Sequence, residues 1–156
     1  MKLEPLSEAE RAFLLGGEAA DFAETLGRHL HVRLRRGVSC AALLRVTWQG
    51  GAAAAAAQGG WLEPDEALLA AWGAVRWGMS ALPRGGGFAA RVEGDLRRRL
   101  ARAFAQAWLD GGGVMESLRY QVQLQGRTGA CNFYPAVLGD GAALARWAQA
   151  YLEQRP

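Results

Sequence analysis

The stretch LRYQVQLQGRTGACNFY, residues 118–134, decides the fold because its polarity alternates with the two-residue period of a β-strand. The intervening arginine and glutamines of its first half are polar, which predicts a strand with one face in the core and the other in water. A glycine-rich turn over 126–129 and an apolar return over 130–134 then predict a β-hairpin. The apolar residues that carry the alternation are Leu118, Tyr120, Val122 and Leu124.

Helical spacing dominates the sequence on both sides of this hairpin. Upstream, apolar residues recur at every fourth position, at Val92, Leu96, Leu100, Phe104 and Trp108. Most of the arginines of this helix lie off the apolar stripe, so they are predicted to form a solvated face. These are Arg97, Arg98, Arg99 and Arg102. Downstream, Asp140 is the predicted N-cap of a last helix that carries Leu144, Trp147, Tyr151 and Leu152.

An earlier helix is predicted to begin near Pro64, a residue that suits a first helical turn. Trp77 lies off the apolar stripe of this helix, so we expect it to be exposed and able to contact a partner. A flexible glycine loop is predicted to follow over 83–87. The stripe itself consists of Leu68, Trp72, Val75 and Met79.

The N-terminal part begins with Ser7 and Glu10 in a capping-box pattern, which predicts a helix over 7–15 that ends at Gly16-Gly17. A second helix is predicted over 18–30, because Phe22, Leu26 and Leu30 recur at every fourth position.

Alternating polarity predicts strands over 31–35 and 44–48. The alanine-rich segment 50–60 is compatible with a short helix, an extended crossing or a loop. Two groups of strands separated by helices favour an α+β layer fold. We expect an N-terminal peptide or helix over 1–17 and a single α+β domain over 18–156.

Composition narrows the functional classes. The chain has 156 residues, of which 51% are hydrophobic and 21% charged, so a packed core is expected. No apolar run is long enough to span a bilayer, and the first residues lack the order of a secretory signal. Two cysteines cannot form a disulfide framework, which favours a cytoplasmic location. The net charge is only +3, with no basic block interleaved with aromatic residues, so we expect no nucleic acid as a partner.

The inventory of reactive side chains disfavours an enzyme. The chain has two histidines, His29 and His31, and one asparagine, Asn132. No third ligand accompanies the histidines, so we expect neither a metal site nor another cofactor. Cys40 and Cys131 lie in predicted strands and are interpreted as small core residues.

Four segments in order resemble the flagellar motor switch protein FliM. Residues 61–68 and 88–94 are similar to the helix start and Val-Glu-Gly segment of the FliM middle domain, and residues 120–135 are similar to its late hairpin. Residues 6–17 resemble the short FliM peptide that binds phosphorylated CheY. The glycine loop is not a clean Gly-Gly-x-Gly, and the tether after the peptide and the C-terminal β-domain that binds FliN are missing.

The resemblance implies a CheC/FliM-like sheet with flanking helices and a non-enzymatic adaptor or scaffold in a flagellar switch or a type III secretion ring. It places the chain at the inner membrane through a complex, and it leaves self-association open. The Glu-x-x-Asn pattern of the CheC and CheX phosphatases is absent, because Gly129 stands three residues before Asn132. A secretion chaperone or another small binding protein is the alternative.

Two segments carry the expected protein contacts. The resemblance makes residues 84–88 a docking loop for a FliG-like rotor protein, although a plain flexible loop is the alternative. In this loop Phe88 is the expected apolar anchor and Arg84 lies at its rim. The residues between them are Gly85, Gly86 and Gly87. The N-terminal segment either packs on its own domain or binds a phosphorylated CheY-like regulator. The recurring positions of that peptide fall on Leu6, Ser7, Glu10, Leu14 and Leu15.

Overall fold

The computed structural model describes residues 8–34, 37–45, 61–80, 86–111 and 117–153. These residues form α-helices, strands of a sheet and one short 3-10 helix over Pro135–Leu138. The helices are α1 (Glu8–Leu34), α2 (Glu66–Trp77), α3 (Gly86–Gly111) and α4 (Gly141–Glu153). The strands are β1 (Val38–Arg45), β2 (Leu62–Pro64), β3 (Leu118–Leu124) and β4 (Arg127–Phe133). The expected α+β class is confirmed.

A single antiparallel sheet joins the early strand to the hairpin. Its strand order is β1-β3-β4-β2, with the predicted hairpin β3-β4 at the centre. β1 pairs with β3 and β2 pairs with β4, so both edge strands precede the hairpin in the chain. The side chains of β3 alternate between buried and more exposed, as the sequence predicts.

The core lies on one face of this sheet. Helices α1 and α3 pack against each other over it, and α4 packs against α3. The predicted stripe of α3 is buried along its whole length, from Val92 to Trp108. Phe104 lies at the centre, where its ring contacts Tyr120 and Phe133 on the two central strands.

The N-terminal predictions need correction. α1 runs unbroken from Glu8 to Leu34, so Gly16-Gly17 does not end a helix, and the strand predicted over 31–35 is wrong. Each mid-helix glycine costs about 1 kcal/mol, but the buried stripe continues through Leu30 to Leu34 and outweighs that cost. The proposed boundary between 17 and 18 falls inside this helix.

The next strand also differs from its predicted position. β1 begins at Val38, six residues before the expected start at Leu44, and its described part ends at Arg45. Residues 46–48 and the alanine-rich segment 50–60 lie outside the described residues.

Helix α2 begins and ends at defined caps. The Asp65 carboxylate accepts a hydrogen bond from the backbone N–H of Leu68 at 2.8 Å, so Asp65, rather than Pro64, marks the helix start. At the other end Gly78 adopts the left-handed conformation, with φ of 71°, and its N–H donates to the carbonyl of Ala74. The helix therefore ends directly after Trp77.

Helix α2 is seated on the sheet through a glycine. A Cβ atom added at Gly129 of β4 would lie 2.4 Å from the Cα of Leu68, so only glycine allows this approach. The predicted N-cap of α4 is confirmed, because the Asp140 carboxylate accepts from the N–H of Ala143 at 2.8 Å.

Candidate interaction surface

A row of aromatic side chains runs outward from the core where α2 ends and α3 begins. The ring centroids of Trp72 and Trp77 are 6.3 Å apart, and those of Trp77 and Phe88 are 5.8 Å apart. Both pairs meet edge to face, the arrangement that aromatic quadrupoles favour. We call Trp77, Phe88 and the neighbouring Arg76 the aromatic corner.

Trp72 anchors this row in the protein. Its side chain is 1% exposed, and its indole N–H donates to the Asp95 carboxylate at 2.8 Å. The same carboxylate accepts from Arg99 at 3.0 Å, and the Arg99 guanidinium lies 5.3 Å from the Trp72 ring centroid. The inner end of the row is therefore held by a buried ring, an ion pair and a cation–π contact.

The outer end faces solvent. Trp77 is 37% exposed and Phe88 is 38% exposed, which makes them two of the most exposed large apolar side chains among the described residues. The Arg76 guanidinium lies 5.4 Å from the Trp77 ring centroid. The corner thus presents apolar rings with a cation beside them, in a geometry fixed by two helix ends.

Only part of the predicted docking loop 84–88 is described by the structure, and that part is helical. Gly86, Gly87 and Phe88 form the first turn of α3, so this part of the expected loop is helix. The glycines are tolerated there because the first helical turn makes few intrahelical hydrogen bonds. Arg84 and Gly85 lie outside the described residues.

The N-terminal candidate residues are separate from this corner in sequence. Glu10, Leu14 and Leu15 lie on α1, whereas Leu6 and Ser7 lie outside the described residues.

The sequence already indicated that Trp77 would be exposed, and its exposure confirms that prediction. Its contact with Phe88 could not be read from the sequence, because it depends on how α2 and α3 meet.

A second constellation consists of polar side chains around the β2 and β4 strands. Arg119 donates to the Asp65 carboxylate at 3.2 Å and to the Asn132 side-chain oxygen at 3.0 Å. The Asn132 amide donates to the Tyr134 hydroxyl, which donates to the Glu63 carboxylate, both at 3.1 Å. We call these five residues the polar network.

The polar network brings together a glutamate and the asparagine that the sequence keeps far apart. Glu63 and Asn132 are cross-strand partners in the β2-β4 ladder. The Tyr134 hydroxyl lies between their side chains, and burial, followed by the charge of Glu63, raises the pKa of that hydroxyl. The pair is hydrogen-bonded within the fold, and the asparagine lies on a strand rather than on a helix.

The histidines lie on a helix and not on a strand. His29 Nε2 is 2.6 Å from the Asp110 carboxylate, so this pair connects α1 to the end of α3. Hydrogen bonds from Gln106 and His29 lower the pKa of Asp110. His31 is exposed on the same helix.

Cys40 lies in β1 and Cys131 in β4, and neither forms a disulfide. Cys131 is buried, and desolvation raises the pKa of its thiol to about 12. Cys40 is partly buried, and desolvation raises the pKa of that thiol as well. Between them on β3 is Tyr120, whose buried hydroxyl has no hydrogen-bond partner among the described residues.

The arginines of α3 are less solvated than predicted. Arg97 pairs with Glu93 at 3.0 Å and donates to the carbonyl of Leu62. Arg99 donates to the carbonyl of Arg33 at 2.7 Å, near the end of α1. These two side chains therefore join α3 to its neighbours, whereas Arg98 is 65% exposed.

Comparison of the chain with known protein families, with curated proteins and with solved structures found no match. Within the described ranges, no group of three or more histidine, cysteine, aspartate or glutamate side chains could hold a metal ion. Of the helices described above, none combines the length and the apolar character that crossing a membrane requires.

Proposed function

We propose that this chain is a non-enzymatic adaptor or scaffold domain that binds a protein partner through the aromatic corner. The observation that supports it is the half-exposed, edge-to-face pair of Trp77 and Phe88 on two ordered helix ends. Trp and Phe are enriched in protein interfaces, where a few such side chains carry most of the binding free energy.

The geometry of the corner suits a recognition surface. Trp77 is held by its contact with buried Trp72, so little conformational entropy is lost when a partner covers it. Arg76 lies beside the rings and would orient a partner that carries an acidic group. The polar network, by contrast, has its carboxylates already bound to Arg119 and Tyr134.

The finer assignment rests on the resemblance to FliM. It extends the proposal to a CheC/FliM-like domain in the cytoplasm, located at the inner membrane through a flagellar switch or type III secretion ring. The partner of the aromatic corner is then a FliG-like rotor protein. The N-terminal residues that include Glu10, Leu14 and Leu15 are assigned to a phosphorylated CheY-like regulator.

Two single substitutions test the corner, Trp77→Ala and Phe88→Ala. The binding of each variant to a purified FliG-like rotor protein is measured by isothermal titration calorimetry. A loss of about 2 kcal/mol is typical of an interface hot spot, so we expect about thirtyfold weaker binding. Leu109→Ala is the matched control, because Leu109 is 39% exposed on the same helix as Phe88. Phe88 and Leu109 are 21 positions apart in sequence, which places them about 32 Å apart along the helix axis.

Equal losses in all three variants, or none in any, would contradict the proposal. The secretion-chaperone alternative gives a different result in the same experiment. A chaperone of that kind is expected to be a dimer by light scattering and to ignore the rotor protein and the phosphorylated regulator.

A further inference from the structure

Two exposed arginines stand beside the rings of the aromatic corner. The Arg76 guanidinium lies 5.4 Å from the Trp77 ring centroid, and both residues are exposed at the end of α2. Arg91 is exposed on α3, three positions after Phe88, so these two side chains are neighbours on one helix face. Each exposed ring therefore has a guanidinium of its own beside it.

These two guanidiniums are not neutralised within the described part of the chain. Neither Arg76 nor Arg91 takes part in any of the ion pairs found there. Asp95 lies one turn after Arg91 on α3, but its carboxylate already accepts hydrogen bonds. The donors are the Trp72 indole and the Arg99 guanidinium.

The connection between α2 and α3 adds no acidic residue to this surface. The sequence of 78–85, GMSALPRG, contains one arginine and neither aspartate nor glutamate. The first turn of α3 has no acidic side chain either. Glu93, further along α3, is paired with Arg97 at 3.0 Å. The corner is therefore apolar at its centre and positively charged beside it.

The exposed ring area suits a single apolar side chain. Aromatic side chains bury about 150–250 Å² each, so the exposed fractions of 37% for Trp77 and 38% for Phe88 leave roughly 150 Å² open. One large aliphatic side chain can cover an area of this size, and its burial alone supports only weak binding. Charged groups beside that side chain would then select the partner.

We propose that the aromatic corner binds a partner segment in which one large apolar side chain is flanked by acidic residues. The apolar side chain covers the rings of Trp77 and Phe88. Carboxylates on either side of it pair with the guanidiniums of Arg76 and Arg91. This inference rests on the function proposed above, which makes the corner a protein-binding surface, and adds the charge of the segment that it binds.

A peptide fits the corner better than a nucleic acid does. Bases of single strands bind by stacking on aromatic faces, next to a basic groove that follows the backbone. The Arg76 guanidinium lies over the Trp77 ring, and Phe88 meets that ring edge to face at 72°. The net charge of the whole chain is only +3.

The first test uses two fluorescein-labelled peptides of about seven residues, each with a central leucine. One peptide carries glutamates on both sides of the leucine, and the other carries glutamines, which keep the size and remove the charge. Binding to the full chain is measured by fluorescence anisotropy. We expect saturable binding of the glutamate peptide and about tenfold weaker binding of the glutamine peptide. Equal binding of the two, or no saturable binding of the glutamate peptide, would overturn the proposal.

The second test removes the charges from the protein. Arg76→Gln and Arg91→Gln each remove one guanidinium at the corner. Arg127→Gln is the matched control, because Arg127 is exposed on β4 and forms no ion pair with another described residue. We expect each corner variant to weaken binding of the glutamate peptide about fivefold and to leave the glutamine peptide unaffected. Equal affinities of all three variants for the glutamate peptide would contradict the assigned pairs.

Trp77→Ala separates this inference from the proposed function. If both peptides bind equally and both are weakened by Trp77→Ala, the corner binds proteins without selecting their charge, so the inference fails and the function stands. If Trp77→Ala binds the glutamate peptide as wild type does, the inference also fails. The proposed function fails only if the rotor protein is likewise insensitive to Trp77→Ala.

A labelled oligothymidylate of about ten nucleotides tests the nucleic-acid alternative. If it binds more tightly than the glutamate peptide and is lost in Trp77→Ala, the corner binds single strands and the proposal is overturned. Circular dichroism and thermal unfolding establish that each variant is folded before its affinity is compared.

Discussion

Replacing Gly129 by alanine tests how helix α2 is seated on the sheet. The new methyl carbon would lie 2.4 Å from the Cα, 2.5 Å from the Cβ and 2.6 Å from the nitrogen of Leu68. Ordinary carbon contacts require about 3.5 Å, so the start of α2 has to move by about 1 Å. Because two of these three atoms are backbone atoms, a change of side-chain rotamer cannot relieve the contact.

The expected cost has two parts. Overpacking of this kind costs about 1–3 kcal/mol. The displacement also weakens the N-cap of α2, where Asp65 accepts from Leu68 at 2.8 Å and from Ala130 at 3.1 Å, and a lost cap costs about 1 kcal/mol. We therefore expect a loss of about 3 kcal/mol of unfolding free energy, which for a chain of this length lowers Tm by roughly 6–12 °C.

Urea and thermal unfolding of Gly129→Ala and wild type, followed by circular dichroism, measure this loss. Gly94→Ala is the matched control, because its new methyl group would meet only the Arg98 side chain, at 3.4 Å. Gly94 lies inside α3, where alanine is favoured over glycine, so this control is expected to gain up to about 1 kcal/mol. If Gly129→Ala unfolds within about 1 kcal/mol of wild type, the close packing of Leu68 on β4 is wrong.

Three further predictions concern stability and its pH dependence. Asp65→Ala should lower the unfolding free energy by about 2 kcal/mol, because Asp65 caps α2 and also binds Ala130 and Arg119. Asp140→Ala, at the exposed cap of α4, should cost less, and equal losses of the two variants in urea denaturation would contradict this. Tyr120→Phe removes a buried hydroxyl that has no partner among the described residues, so we expect unchanged or higher stability, and a loss above about 1 kcal/mol would show that the hydroxyl is hydrogen-bonded. The raised pKa of Cys131 means that the unfolded chain loses this thiol proton first, so this thiol by itself should lower the unfolding free energy by about 1.4 kcal/mol per pH unit between about pH 9 and 12. The Cys40 thiol, whose pKa is also raised, adds a slope of its own, so the expected difference in slope between wild type and Cys131→Ala is about 1.4 kcal/mol per pH unit.

Periodic segments of the sequence were sufficient to predict several elements. The alternation over 118–124 predicts β3 because each apolar residue faces the core and each polar residue does not. The stripe from Val92 to Trp108 predicts α3 for the same reason with a helical period. Asp140 predicts the start of α4 because capping depends on neighbouring backbone groups alone.

The N-terminal third was harder to predict because two local signals opposed each other. The alternation of Val32 and Leu34 with charged residues resembles a strand, but Leu34 also continues the four-residue spacing of Leu26 and Leu30. Burial of Leu34 at 1% exposure shows which signal is decisive. Packing of α1 against α3 extends the helix beyond the point where local propensity favours a break.

The candidate surfaces depend on contacts between distant segments. The sequence by itself determined that Trp77 would leave its helix stripe and that one asparagine was available, because periodicity and composition are local properties. Only the tertiary structure placed Phe88 beside Trp77 and Asn132 beside Glu63. The physical reason is that helix packing and strand order are decided by burial of the shared core, which no single segment specifies.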